Sequence, residues 1–255
     1  MLFRSNTRLI ISETPTNPYL RVVDIERLVN IAKIHGIMTI IDATFATPIN
    51  LQPLEYGADL VIHSGTKYLG GHHDLLSGVV IGRKKLVDPI RDHVNLMGTV
   101  TDPQNAYLLL RGLKTLGLRV RHQNQAAQQM AEYLLTQPLV DEVYYPGLAN
   151  HPDHNIAKRQ MNGFGGVVSF TLKKGLEDTA RFLDHLQIPY ITPSLGGAES
   201  LVNQPALLSY YSISAEQRVD WGIKDNLVRY ALGIEDAQDL ISDLQQAFNW
   251  LQNKI

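Results

Sequence analysis

Lys67 stands in the run Ser64-Gly65-Thr66-Lys67-Tyr68-Leu69-Gly70-Gly71, which follows the apolar stretch Leu60 to Ile62 after His63. That stretch reads as a buried strand, so the lysine lies just past a strand's C-terminal end, where open α/β sheets place their ligands. Two hydroxyls and several flexible amides surround one amine. Ser64 and Thr66 suit a phosphate, and Lys67 suits a carbonyl carbon. A free lysine has a pKa of about 10.4, and a desolvated pocket makes it neutral enough to attack an aldehyde. Asp42 closes a second apolar run, Ile37 to Ile41. A carboxylate beside apolar surroundings is costly without a partner, and a protonated pyridine nitrogen is such a partner.

Neither residue decides the matter alone. A lysine in a glycine-rich loop is more often a solvated side chain, and an aspartate after a strand is more often a cap or turn former. Together, the amine, the two hydroxyls and the carboxylate describe a pyridoxal phosphate site. Two rival motifs fail. The loop lacks the Gly-Lys-Ser/Thr that ends a P-loop, and no Gly-x-Gly-x-x-Gly follows a strand.

The elements that must position these groups alternate. Leu9 to Ser12, Ile37 to Ile41, Leu60 to Ile62 and Gly78 to Ile81 read as strands, and Asp24 to His35 as a helix with Ile25, Leu28, Val29 and Ala32 on one face. Such alternation predicts βαβ units and a largely parallel sheet. Pro103 to Thr136 is helical in character, capped by Asp102, with Gly112 and Gly117 expected to break it in two. Tyr145 to Gly166 is rich in Gly and Pro and reads as loop with one short helix. Val167 to Leu172 alternates like a half-buried strand, Leu176 to Leu186 suits a helix and Asn226 to Ala231 a strand. Asp236 to Leu251 reads as an amphipathic helix. The expected division is a larger α/β unit over residues 1–136 and a smaller α+β unit over 137–255.

Composition narrows the class. The chain has 255 residues, and 23 Lys+Arg against 25 Asp+Glu leave a net charge of −2. This gives no electrostatic case for nucleic acid or an anionic membrane. There are 0 cysteines, which excludes disulfides, cysteine-ligated zinc and a cysteine nucleophile. No apolar run approaches the roughly 20 residues that span a bilayer, and the opening Met1-Leu-Phe-Arg lacks the pattern of a signal peptide. The expectation is a cytoplasmic protein. His151-Pro-Asp-His154 lacks further metal ligands, so no metal site is expected. His72-His73 reads as loop, and Arg111, Lys114, Arg119 and Arg121 as a solvated or subunit-facing helix.

Five segments give the sequence a family likeness: Glu13-Thr-Pro-Thr-Asn-Pro-Tyr, Ile41-Asp-Ala-Thr-Phe-Ala-Thr-Pro, Gly57 through His72, Ser194-Leu-Gly-Gly-Ala-Glu-Ser-Leu and Leu227-Val-Arg-Tyr-Ala-Leu-Gly-Ile-Glu-Asp. The chain resembles the pyridoxal-phosphate-dependent Cys/Met metabolism enzymes, the cystathionine γ-synthase family. The resemblance implies the type I pyridoxal phosphate fold: an aspartate-aminotransferase-like large α/β domain and a smaller C-terminal domain. It implies that Lys67 joins the cofactor aldehyde and later shuttles protons, and that Asp42 partners the pyridinium. Ser64 and Thr66 would hold phosphate. Asn17 would lie beside the cofactor hydroxyl and the substrate carboxylate, Arg229 would fork that carboxylate with Ser194 as helper, and Glu199 would handle cystathionine. The implied reaction replaces the γ-substituent of an activated homoserine ester with cysteine, in a homotetramer. A γ-lyase, a sulfhydrylase or a non-catalytic fragment are the alternatives. The family's upstream phosphate loop, stacking tyrosine and Tyr-x-Arg segment have no counterpart here, so the large domain is expected to be incomplete at its N-terminus.

Overall fold

The computed structural model describes residues 4–253. The opening Met1, Leu2 and Phe3 lie outside the described residues. In chain order come β1 (Leu9–Glu13), α1 (Ile25–Ile34), β2 (Met38–Asp42), α2 (Thr47–Asn50), β3 (Leu60–Ser64), a π-type turn (Gly65–Leu69), β4 (Gly78–Gly82), α3 (Lys84–Met97), α4 (Pro103–Leu113) and α5 (Leu116–Leu135). They are followed by β5 (Val140–Tyr144), α6 (His154–Gln160), β6 (Val167–Leu172), α7 (Leu176–Asp184), β7 (Tyr190–Ile191), β8 (Leu201–Asn203), α8 (Ala215–Asp220), β9 (Leu227–Ala231) and α9 (Ala237–Gln252). The strands form two sheets, ordered β1-β2-β3-β4 and β5-β6-β9-β8-β7.

The first sheet sets out the site. Asp24 caps α1 by accepting from the Arg27 amide, and Ile25, Leu28, Val29 and Ala32 bury its inner face. This crossover helix returns the chain to run β2 parallel to β1, with Glu13 opposite Asp42. β3 runs parallel to β2, with Asp42 opposite Ile62. The C-terminal ends of three neighbouring strands therefore carry Glu13, Asp42 and Ser64.

β4 departs from the parallel expectation. It is antiparallel to β3, with Ser64 opposite Gly78. A parallel return needs a crossover, usually a helix. Here the connection leaves and re-enters at the same end of the sheet, so the Lys67 loop is an excursion of a hairpin.

The long helical stretch does break in two, but at Lys114-Thr115 and not at the glycines. Gly112 serves another end: a Cβ there would collide with the Gly70 carbonyl, so the missing side chain lets α4 lie directly on the Lys67 loop. Arg119 departs from the solvated reading. It is buried, donating to the Tyr68 and Gly112 carbonyls at 2.9 Å each. α5 serves two cores. Leu116 and Val120 pack with Tyr68, Leu69, Val167 and Leu195. Ala127, Met130 and Leu134 pack with Phe170, Tyr230, Leu244 and Phe248.

β6 is buried along its whole length, where half-burial was expected. Its polar positions are accommodated by hydrogen bonds: Ser169 donates to the Pro18 carbonyl at 2.7 Å, and the Thr171 hydroxyl accepts from the Glu142 amide at 3.2 Å. Alternation in the sequence thus marked paired polar groups, not a wet face.

Glycine to alanine inside a helix ordinarily stabilises, by up to about 1 kcal/mol. At Gly112 the sign reverses, because the new methyl meets backbone. Gly112→Ala is expected to lower stability by about 1–3 kcal/mol, read as a lower urea midpoint with an unchanged slope.

Candidate active site

The Lys67 loop is held by backbone bonds on both sides of the lysine. The Gly70 amide donates to the Gly65 carbonyl at 2.9 Å and the Gly71 amide to the Lys67 carbonyl at 2.8 Å. At Lys67 itself the backbone leaves helical values, with φ −91° and ψ −128°. Thr66 locks the loop to its return limb. Its amide donates to the Ser77 carbonyl at 3.2 Å, and its hydroxyl accepts from the Ser77 amide at 3.1 Å. From this turn the Lys67 amine donates to the Ser194 hydroxyl at 2.9 Å. Burial lowers the Lys67 pKa from its ordinary value, and the positive charge of Arg229 lowers it further.

Asp42 is fixed through Thr44. The Thr44 amide and hydroxyl both donate to Asp42 Oδ1, at 2.9 and 2.6 Å. The same hydroxyl accepts from the Ser64 amide at 2.8 Å. A single hydroxyl thus ties the carboxylate of β2 to the end of β3. Both of these bonds go to Oδ1, and Oδ2 accepts none from the described residues. Asp42 and Ser64 share the wall of a cavity of about 610 Å³.

Arg229 reaches the same place from the second sheet. It sits mid-strand in β9, between Ser169 of β6 and Asn203 of β8. Its guanidinium donates to Asn17 Oδ1 at 3.1 Å, to the Pro193 carbonyl at 2.5 Å and to the Ser194 carbonyl at 2.9 Å. The side chain is 3% exposed, and its Nε is buried without an acceptor. Burial lowers its pKa to about 10. Glu13 sits nearby, with its carboxyl pKa raised by burial and by Asp42, against the Asn17 amide and Arg229, which lower it.

Seven of the eight residues singled out from sequence are therefore joined. Lys67, Ser194, Arg229 and Asn17 form one hydrogen-bonded chain, and Asp42 and Ser64 are linked through Thr44, with Thr66 bracing the loop between them. Glu199 stands apart. Its contact is with His73, whose Nε2 lies 3.8 Å from Glu199 Oε2. Thr44 and Arg119 were missed. The Asp-x-Thr spacing, which lets a hydroxyl return to the carboxylate two residues earlier, was the available signal for Thr44. A buried arginine on a polar-looking helix leaves no such signal. Among the described residues no cluster of His, Cys, Asp and Glu could hold a metal.

Comparison with known proteins agrees with this geometry. The family described as Cys/Met metabolism PLP-dependent enzyme matches residues 1–249. The chain belongs to that family. It is 53% identical over 239 residues to cystathionine gamma-synthase 1, chloroplastic, of Arabidopsis thaliana, covering 94% of this chain and 42% of that protein. It is 46% identical over 246 residues to cystathionine gamma-lyase of Bacillus subtilis, covering 96% of this chain and 64% of the relative. A solved cystathionine gamma synthase from Xanthomonas oryzae pv. oryzae, in complex with cystathionine, superposes with a TM-score of 0.94 at 40% identity, over 97% of this chain and 64% of that one. The fold is that of the pyridoxal-phosphate-dependent enzymes. The chain spans about half to two thirds of the length of these relatives.

The donor set fits pyridoxal phosphate. A carboxylate oxygen without a protein donor and an uncommitted Ser64 hydroxyl lie on adjacent strand ends, and an amine with a lowered pKa lies in the turn that follows them. Lys67 would hold the aldehyde carbon, Asp42 the ring nitrogen, and Ser64 and Thr66 the phosphate.

Two outcomes follow. Thr44→Val leaves the Ser64 amide and Asp42 without their shared partner, at about 1–3 kcal/mol. Pyridoxal phosphate affinity, measured by fluorescence titration, is expected to fall roughly tenfold. Arg229→Gln removes a cation beside Lys67 and so raises the lysine pKa. The pH midpoint of the visible absorption that Lys67 generates with the cofactor is expected to move upward, and Arg229→Lys to move it much less.

Proposed function

We propose that the chain acts as a cystathionine γ-synthase, replacing the γ-substituent of an activated homoserine ester with cysteine on the route to methionine. The observation that carries the amino-acid substrate is Arg229. Its guanidinium is a buried cation whose acceptors are all neutral among the described residues, and an α-carboxylate supplies the opposite charge in a planar, two-oxygen shape that suits the fork. The choice of synthase is supported by the higher identity to the plant synthase than to the bacterial lyase.

Pyridoxal phosphate supplies an electrophilic aldehyde and a protonated ring that withdraws electrons from the substrate carbon. The residues of this chain do the rest. Arg229 and Asn17 orient the substrate carboxylate, which fixes the Cα–H direction. Lys67 would take the proton from Cα and then one from Cβ as the γ-substituent leaves with its bonding electrons, and would return a proton to Cβ and to Cα once the cysteine sulfur has bonded to Cγ, as general base and acid. Ser194 holds the amine between transfers. Asp42, oriented by Thr44, would keep the ring nitrogen protonated by its charge.

The same proposal divides the chain at Gln137, in the turn between α5 and β5, supported by a first sheet confined to residues 9–82 and a second to 140–231. It places the protein in the cytoplasm as a homotetramer, although two plant relatives are named chloroplastic. Light scattering behind size-exclusion chromatography tests the assembly. Among the described residues no helix is long and apolar enough to cross a membrane.

The test of activity is product analysis of the cofactor-loaded chain given a homoserine ester and cysteine. Cystathionine is expected, and Lys67→Ala is expected to lower its formation at least a thousandfold. Ammonia and a keto acid released from cystathionine would instead favour a γ-lyase. No turnover with either substrate would favour the non-catalytic reading.

A further inference from the structure

Arg229 and Ser194 must be held at a set distance from Lys67, because the carboxylate is gripped at one end and the proton moved at the other. Arg229 stands on β9, Ser194 in the loop after β7 and Lys67 in the turn after β3. Three separate segments need a common reference, since a misplacement of about 1 Å can cost roughly 100-fold in rate.

Gln123 of α5 supplies that reference. Its side chain is fully buried, at 0% exposure. Its amide nitrogen donates twice, to the Gly197 carbonyl at 2.8 Å and to the Leu232 carbonyl at 3.1 Å. Gly197 lies three residues after Ser194, and Leu232 three residues after Arg229. One amide thus ties the arm that holds Ser194 to the strand end that follows Arg229. Both partners are carbonyls, so the amide orientation is fixed: nitrogen faces them and oxygen turns away. That oxygen is buried without a hydrogen-bond partner, at a cost of about 1–3 kcal/mol. Packing alone would be served by an apolar side chain with no such orphan, so the two donated bonds are what the amide provides.

The surroundings make the tie short and stiff. Gly166 leaves room for the stem, since a Cβ there would lie 2.8 Å from Gln123 Cβ. The Gly166 carbonyl in turn accepts from the Leu232 amide at 2.8 Å. On the other side Gly196 takes φ 79° and approaches Tyr68 so closely that a Cβ would sit 2.7 Å from the Tyr68 amide nitrogen. The loop from Ser194 to Gly197 therefore lies directly on the residue after Lys67. One helical turn before Gln123, on the same face of α5, Arg119 holds the Tyr68 carbonyl. The helix presents two donor side chains, one to the lysine turn and one to the carboxylate-binding arm.

We propose that Gln123 is a positioning residue: it sets the distance of Arg229 and Ser194 from the Lys67 turn and so governs recognition of the substrate α-carboxylate, without touching substrate or cofactor itself. The inference rests on the reading of Arg229 as the carboxylate fork, and it names what holds that fork in register.

Equilibrium binding separates this role from simple support. The full chain, loaded with pyridoxal phosphate, is titrated calorimetrically with L-homoserine and with 3-aminopropanol, the same molecule without its carboxylate. Gln123→Met keeps the length of the side chain and removes both donated bonds. It is expected to weaken homoserine about tenfold and to leave 3-aminopropanol and pyridoxal phosphate each within about twofold. Gln123→Asn keeps the amide on a stem one methylene shorter and is expected to lose about threefold for homoserine alone; it carries the test where the Met variant does not load. Equal weakening of homoserine and 3-aminopropanol, or a matching loss of cofactor affinity, would make Gln123 a general strut. Unchanged affinity for all three would remove it from recognition; both results overturn the proposal. Homoserine binding no tighter than 3-aminopropanol in the parent chain would instead sink the Arg229 reading, and this inference with it.

Discussion

A guanidinium buried in the middle of a β-strand, with no carboxylate against it, is the constraint around which this molecule is arranged. Burying an unpaired ion costs several kcal/mol, so Arg229 must be surrounded by oriented acceptors. It finds them in Asn17 and in the carbonyls of Pro193 and Ser194. These three lie in segments that follow β1 and β7, one from each sheet. Satisfying one arginine therefore fixes the two loops relative to each other. Ser194, so placed, takes the Lys67 amine. The charge that organises the loops also helps keep the lysine pKa low, which couples the folding problem to the chemistry.

The remaining architecture serves this junction. Parallel pairing of β1, β2 and β3 brings Glu13, Asp42 and Ser64 to one edge, and the antiparallel return of β4 leaves the Lys67 loop as an excursion above it. Arg119 and Gly112 hold that loop from below, the first by hydrogen bonds and the second by having no side chain. α5 then locks both sheets, since one stretch of it packs under the lysine loop and the next enters the core beneath β6 and β9. The site is consequently a property of the whole described chain and not of either sheet alone.

Much of this was legible in the sequence where burial and chemistry coincide. Asp42 and Lys67 follow apolar runs that read as strands, so their place at or just past a strand's C-terminal end could be read directly, although β2 is buried only at alternate positions. Ser194, Arg229 and Asn17 were different. Each lies far from Lys67 in the chain, and only the family likeness brought them together before the structure did. Residues whose role is a close approach or a backbone bond stayed hidden. Gly112 read as a helix breaker because sequence shows a missing side chain but not the carbonyl that occupies its place. Arg119 read as solvated because its partners are backbone carbonyls that leave no mark in composition. The direction of β4 escaped for a related reason: strand pattern gives burial and period, whereas direction depends on where the connecting loop returns.

On the proposed reading, Arg229, Ser194 and the β3 loop ready Lys67, before any other lysine, to react with an aldehyde. Borohydride trapping of the chain with sub-stoichiometric pyridoxal phosphate, followed by peptide mass mapping, addresses it directly. The label is expected to fall on Lys67 nearly alone in the native chain and to spread across the lysines after denaturation. Label distributed over several lysines in the native chain, or concentrated on a lysine other than Lys67, would contradict it.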